Sequence, residues 1–176
     1  MRKGLIFFVL LINFTAISQE RIAWQDKPIL SWGDFRGTPK PESGAVASTG
    51  SGLSFKYSYV FENNKLQLDY TVTAHFYPLR SWYLKQEATP YILKHEQTHF
   101  DITELHARMF RKQLAETAFS KNPKDVLEKM YHEAEATRRK MQRLFDAQSD
   151  HSKNKLQEKE WEAFIEKKLK EYAQWQ

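Results

Sequence analysis

The spacing of apolar residues changes period once along this chain, near residue 80. Before that point Leu53, Phe55, Tyr57, Tyr59 and Phe61 alternate with mostly polar neighbours, and after Asn63-Asn64 so do Leu66, Leu68, Tyr70 and Val72. Alternation puts one side of each segment on a buried face, and an Asn pair tolerates the left-handed backbone of a tight turn. The pattern therefore predicts a β-hairpin. Ala74 and Phe76 carry the second strand toward Pro78, while Ile29 to Phe35 reads as a short extended segment closed at Gly37-Thr38-Pro39.

Beyond Arg80 the period becomes helical. Thr89-Pro90 combines an N-cap with proline at the first helical position and predicts a helix to about Ser120. Asn122-Pro123 opens a second helix lasting to about Gln148, and Ser149-Asp150-His151-Ser152 interrupts it. A third, from about Lys153, carries Leu156, Trp161, Ile165, Leu169 and Tyr172 at helical spacing. The expected class is α+β: a small antiparallel β-sheet from the N-terminal half packed with three long α-helices in a single domain, residues 19–176.

Composition narrows the chemistry. There is no cysteine, which excludes a disulfide scaffold, a thiolate metal site and a thiol nucleophile. Any metal must sit on His, Asp or Glu. Glycine is confined to Gly52 and earlier, so the helical half lacks the residue most tolerant of left-handed and irregular backbone. At the start, Arg2 and Lys3 precede an apolar run over 5–17, and Ala16-Ile17-Ser18 offers small residues before Gln19, as in a signal peptide over 1–18. The alternative, an uncleaved anchor, would need a run of ~20 apolar residues. Export to the periplasm or beyond is the expectation. Loss of Arg2 and Lys3 leaves a net charge of +3, against +5 for the full chain. The basic residues alternate with acidic ones along the C-terminal half, as on solvated helix faces, so neither nucleic acid nor membrane is an expected partner after cleavage.

The first long helix carries His95-Glu96-Gln97-Thr98-His99. Two imidazoles four residues apart lie on one helical face, offset by about 40° and ~6 Å, so both can reach one ion. Glu96 is rotated by about 100° and can address a water beside that ion rather than the ion itself. Zinc suits neutral imidazoles and needs one further protein ligand. A glycine turn followed by a third His is absent, since Ile102 and Leu105 stand at those places, and His106 lies about 10 Å along the axis from His99. The third ligand must come from a later element, with His132, Glu133, Glu135, Asp146 and His151 as candidates. Asp146 could instead orient a ligand imidazole from behind. Tyr131, His132, His106 and His75 are candidates to assist a developing oxyanion. The strand from about Lys65 to Phe76 is a candidate edge for an extended peptide, and Phe55, Tyr57 and Tyr59 are expected in the core.

Three segments carry a resemblance: Trp32-Gly-Asp-Phe35-Arg-Gly37-Thr-Pro39; His95-Glu-Gln-Thr-His99-Phe-Asp-Ile with Arg108 beyond it; and Phe145-Asp146-Ala-Gln-Ser149-Asp-His151 with Gln157 and Trp161. Together they resemble a bacterial family of predicted secreted zinc-dependent proteases, domain of unknown function family 922, over most of the mature chain. Phe145, Ser149 and Ser152 stand where that family has Tyr, Thr and Gly. The resemblance implies a zincin-like fold and hydrolase, with zinc on His95, His99 and His151, Glu133 being the alternative third ligand, and Glu96 as general base acting on a peptide or protein substrate. A zinc amidase acting on cell-wall material and a non-catalytic exported binding or structural module are the rival readings.

Overall fold

Asn63 and Asn64 sit at φ 51° and 63°, the left-handed pair that a two-residue hairpin turn requires. The computed structural model describes residues 20–176, and the signal-peptide expectation over 1–18 lies outside the described residues. The elements in chain order are β1 (Ile22–Ala23), β2 (Ala47–Ser48), β3 (Ser51–Glu62), β4 (Lys65–Phe76), β5 (Trp82–Tyr83), α1 (Pro90–Glu116), α2 (Lys124–Ser149) and α3 (Lys155–Glu171). The antiparallel hairpin β3–β4 pairs Glu62 with Lys65 at its tip and Ser51 with Phe76 at its base, and β1 adds to the far edge of β4 in the order β1-β4-β3. A separate antiparallel pair joins β2 to β5. The class is α+β, with small antiparallel sheets beside three helices.

One segment departs from expectation. Ile29 to Phe35 is not a strand, and residues 32–34 form a single 3-10 turn. The Asp34 carboxylate accepts from the Ser31 amide at 2.7 Å, from the Ser31 hydroxyl at 2.8 Å and from Lys27 Nζ. Such local side-chain bonds offer the backbone an alternative to a sheet ladder and win here. Just beyond, Gly37 lies so close to its neighbours that a Cβ would meet the Leu79 and Ser81 carbonyl oxygens at 2.9 Å, which sets the loop against the approach to β5.

The helices follow their start signals. Thr89 caps α1 by accepting from the Ile92 amide, a bond worth about 1 kcal/mol, and Pro90 occupies the first turn. Asn154 caps α3 through Gln157. Between α2 and α3 the chain reverses through Asp150, His151 and Ser152, all at positive φ.

Helix α1 is the central element. Leu53, Val72 and Ala74 of the hairpin close over Ala107, Phe110 and Leu114 of α1 and Leu127 and Met130 of α2. Phe55 joins them, its ring 4.9 Å from that of Phe110. On the opposite side Ile102 and Leu105 meet Phe145 of α2 and Ile165 of α3. With sheet and helices on both sides, α1 buries polar residues too. Glu104 is fully buried and paired with Arg108 and Arg111, whose guanidinium groups donate to the carbonyls of Leu169, Trp175 and Val72. This network ties β4 and the carboxyl-terminal end to the central helix. Among the described residues, no helix is long and apolar enough to cross a membrane.

His106 is buried at 3% exposure and its Nε2 has no partner among the described residues. Burial, helped by the nearby Arg138 charge, pushes its pKa down to about 4. An unfolded chain protonates this histidine near 6.5, so between pH 6.5 and 4 the unfolded state binds more protons and stability falls as pH falls. The loss reaches at most about 3 kcal/mol below pH 4. Urea midpoints at pH 7 and 4.5 should therefore lie closer together in His106→Leu than in the wild type. An unchanged gap would assign the acid sensitivity to other groups.

Candidate metal centre

A single turn of α1 brings the His95 and His99 rings to 4.9 Å between centroids, nearly perpendicular. Both residues are buried, because this part of the helix lies beneath the other elements rather than at the surface. Phe145 on α2 is fully buried against them, stacked on His95 at 4.5 Å and edge-on to His99 at 5.2 Å. Docking through Phe145 delivers the next residue, Asp146, to the same point. Its Oδ1 lies 2.8 Å from His99 Nε2 and 3.2 Å from His95 Nε2. One ligand atom each from His95, His99 and Asp146 fall within 4.8 Å of one another, the arrangement that could hold a metal ion.

Behind His95 stands a residue that sequence reasoning missed. Glu158 of α3 is fully buried, and its Oε1 lies 2.9 Å from His95 Nδ1. In the neutral imidazole, a proton on Nδ1 donated to this carboxylate leaves Nε2 as the free nitrogen, the tautomer a metal-binding imidazole needs. The donor set asks for a cation. Three carboxylates, Glu96, Asp146 and Glu158, surround His95. Although burial opposes the charged imidazole, hydrogen bonds to Asp146 and Glu158 and the charge of Glu96 raise its pKa to about 9. Asp146 is displaced the other way: burial opposes its ionisation, but both imidazoles hold its carboxyl well below the usual carboxylate range. Two imidazole nitrogens and a carboxylate oxygen, with a further carboxylate fixing one ring from behind, fit zinc.

Glu96 is buried at 4% exposure, and its Oε2 has no hydrogen-bond partner among the described residues. It lines the same cleft as the three candidate ligands, a space of about 690 Å³. One wall is the chain from Gly44 to Thr49, including β2; another is α2, through Arg139, Gln142, Arg143 and Asp146. Thr49 donates to the Glu96 carbonyl at 3.1 Å, which couples the end of β2 to the motif. Gln142 donates to the His99 carbonyl at 2.9 Å and accepts from Arg138, which fixes α2 against the same turn of α1.

The other candidates fall in different places. His151 lines this cleft, but it is exposed on the left-handed turn, outside the group of three ligand atoms. Glu133 is exposed, faces Lys129 at 3.8 Å and lines a different cleft, together with His106. Glu135 is engaged by the Leu53 amide and by Arg138 and Arg139. Tyr131 donates to the Leu53 carbonyl, His75 meets Ser54 on the hairpin, and His132 lies against Tyr131. None of His75, His106, Tyr131 and His132 lines the cleft, and neither does any residue of 65–76, so the edge expected to accept a peptide is not at the site. The edge that is there is β2. Leu84 donates to the Val46 carbonyl, so the antiparallel alternation turns the peptide groups of Ala47 away from β5.

Residues 38–152 match a bacterial protein family of unknown function (DUF922). No curated protein and no solved structure matches the chain.

Proposed function

Since the chain belongs to this bacterial family of unknown function, its chemistry has to be read from its own site, and we propose that it is an exported, zincin-like, zinc-dependent hydrolase of peptide bonds. The observation that carries the reading is the convergence of His95, His99 and Asp146 in one cleft with a buried, unpartnered Glu96. A structural metal site has no use for such a carboxylate, whereas hydrolysis needs a base beside the ion.

His95, His99 and Asp146 would hold the zinc, with His151 at the rim as the other candidate for the third place. Bound zinc supplies a Lewis acid and brings the acidity of water toward neutral pH, ~7. Glu96 Oε2, without another partner among the described residues, accepts a proton from the attacking water and returns it to the leaving amine. Glu158 holds the His95 ring in orientation and keeps its Nδ1 proton in place. The peptide groups of Ala47, which line the cleft and face away from β5, would offer an extended substrate main-chain hydrogen bonds, and the Thr49 bond to the Glu96 carbonyl keeps that edge in register with the base.

Protein prepared without chelator should carry stoichiometric zinc and cleave unfolded protein substrates. Dialysis against a chelator should abolish cleavage, and added zinc should restore it. Zinc far below stoichiometry would remove the metal from the proposal. Stoichiometric zinc with no cleavage of casein or of a peptide library would favour a binding module.

A further inference from the structure

The mouth of the cleft is cationic. Its acidic lining residues, Glu96 and Asp146, belong to the candidate centre, and every other charged lining residue is basic: Lys40, Arg139, Arg143 and Lys153. Elsewhere on the helices many lysines face an acid, as Lys170 does Glu166 and Lys168 does Glu171. Lys40, Arg143 and Lys153 are exposed, and no carboxylate pairs with them among the described residues. Arg139 shares Glu135 with Arg138, so one carboxylate faces two guanidinium groups and a positive charge remains.

These charges also stand in register with the centre. Arg139, Arg143 and Asp146 follow one another at helical spacing along α2. Arg143 lies about 4.5 Å and Arg139 about 10 Å along the axis from Asp146. An extended peptide advances ~3.3 Å per residue, so the two guanidinium groups match side chains about one to three residues from a bond held at the centre. On the β2 wall Ala47, buried but lining the cleft, turns its peptide groups away from β5, which favours a polypeptide over another polyanion.

We propose that the cleft selects polypeptide segments bearing Asp or Glu within about three residues of the bond presented to the centre, with Arg143, Arg139, Lys153 and Lys40 as the selecting residues. This rests on the peptide-hydrolase reading, but its binding half can be tested apart from catalysis. The experiment uses internally quenched peptides identical except for Glu, Gln or Lys at the flanking positions. Zinc-loaded wild type should cleave the Glu peptide about tenfold faster than the Gln peptide at low salt, and the Lys peptide slowest. That ratio should shrink severalfold between about 0.05 M and 0.5 M salt as screening shortens the reach of exposed charges. Arg143→Glu combined with Lys153→Glu should erase the ratio with zinc content unchanged, and Lys65→Glu, at the hairpin tip, should leave it intact. Equal cleavage of the three peptides would overturn the selectivity and leave the hydrolase standing. If no peptide is cut, the hydrolase fails instead. Fluorescence anisotropy of the same labelled peptides with Glu96→Gln then decides: tighter binding of the Glu peptide supports the selectivity, and equal binding overturns it. Tighter binding of a polyuronate than of the Glu peptide would overturn the assignment to polypeptide.

Discussion

Glu96→Gln should lower kcat on a peptide substrate by about 10²–10⁴-fold while the protein keeps its zinc. The substitution preserves shape and removes only the basic oxygen, and because Oε2 has no partner among the described residues, no hydrogen bond seen there is broken. An unpartnered buried carboxylate is costly to the folded state, so the variant should melt at the same temperature as wild type or higher. Activity and stability would then move in opposite directions, which a general loss of structure cannot produce. Retained turnover with zinc bound would exclude Glu96 as the base.

Asp146→Ala should weaken zinc binding by more than the about 100-fold that removal of a supporting residue reaches, whereas His151→Ala should change it by less than about tenfold. The asymmetry follows from placement. Asp146 stands on a regular helix behind the buried Phe145 wedge, with Oδ1 within hydrogen-bond reach of both imidazoles. His151 is exposed on a left-handed turn whose amide donates to the Asp146 carbonyl. Competition with a chromophoric chelator measures both affinities. The reverse order would make His151 the third ligand and Asp146 its support.

Why the sequence leaves these two open is a matter of which forces are local. The hairpin and the three helices are legible because a period of two or of about 3.6, read with Asn63-Asn64, Thr89-Pro90 and Asn122-Pro123, needs no knowledge of neighbours. The same holds for His95, Glu96 and His99, whose shared turn follows from spacing alone. The choice between Asp146 and His151 depends on how α2 docks, and that is decided by Phe145 entering the space between α1 and α3. Glu158 was hidden for a related reason. It sits in a run of Lys and Glu that reads as a solvated face, and only the packing of α3 on α1 turns this one carboxylate inward. The outcome at Ile29–Phe35 shows the converse: there a local signal, the Asp34 side chain, overrode an apolar pattern that suggested a strand.

The Glu158 contact has a thermodynamic consequence. The family match ends at residue 152, yet the carboxylate that grips His95 comes from beyond it, on the last helix. Arg108 and Arg111 hold the end of the same region from below. Any cation gathered by His95 and His99 therefore shares a binding partner with the docking of α3, and linkage makes the effect reciprocal. On the proposed reading, ion uptake would tighten the seat of α3, and loosening α3 would raise the ion's escape. With an ion at the proposed centre, α3 would act as a clasp whose closure and whose cargo report on each other.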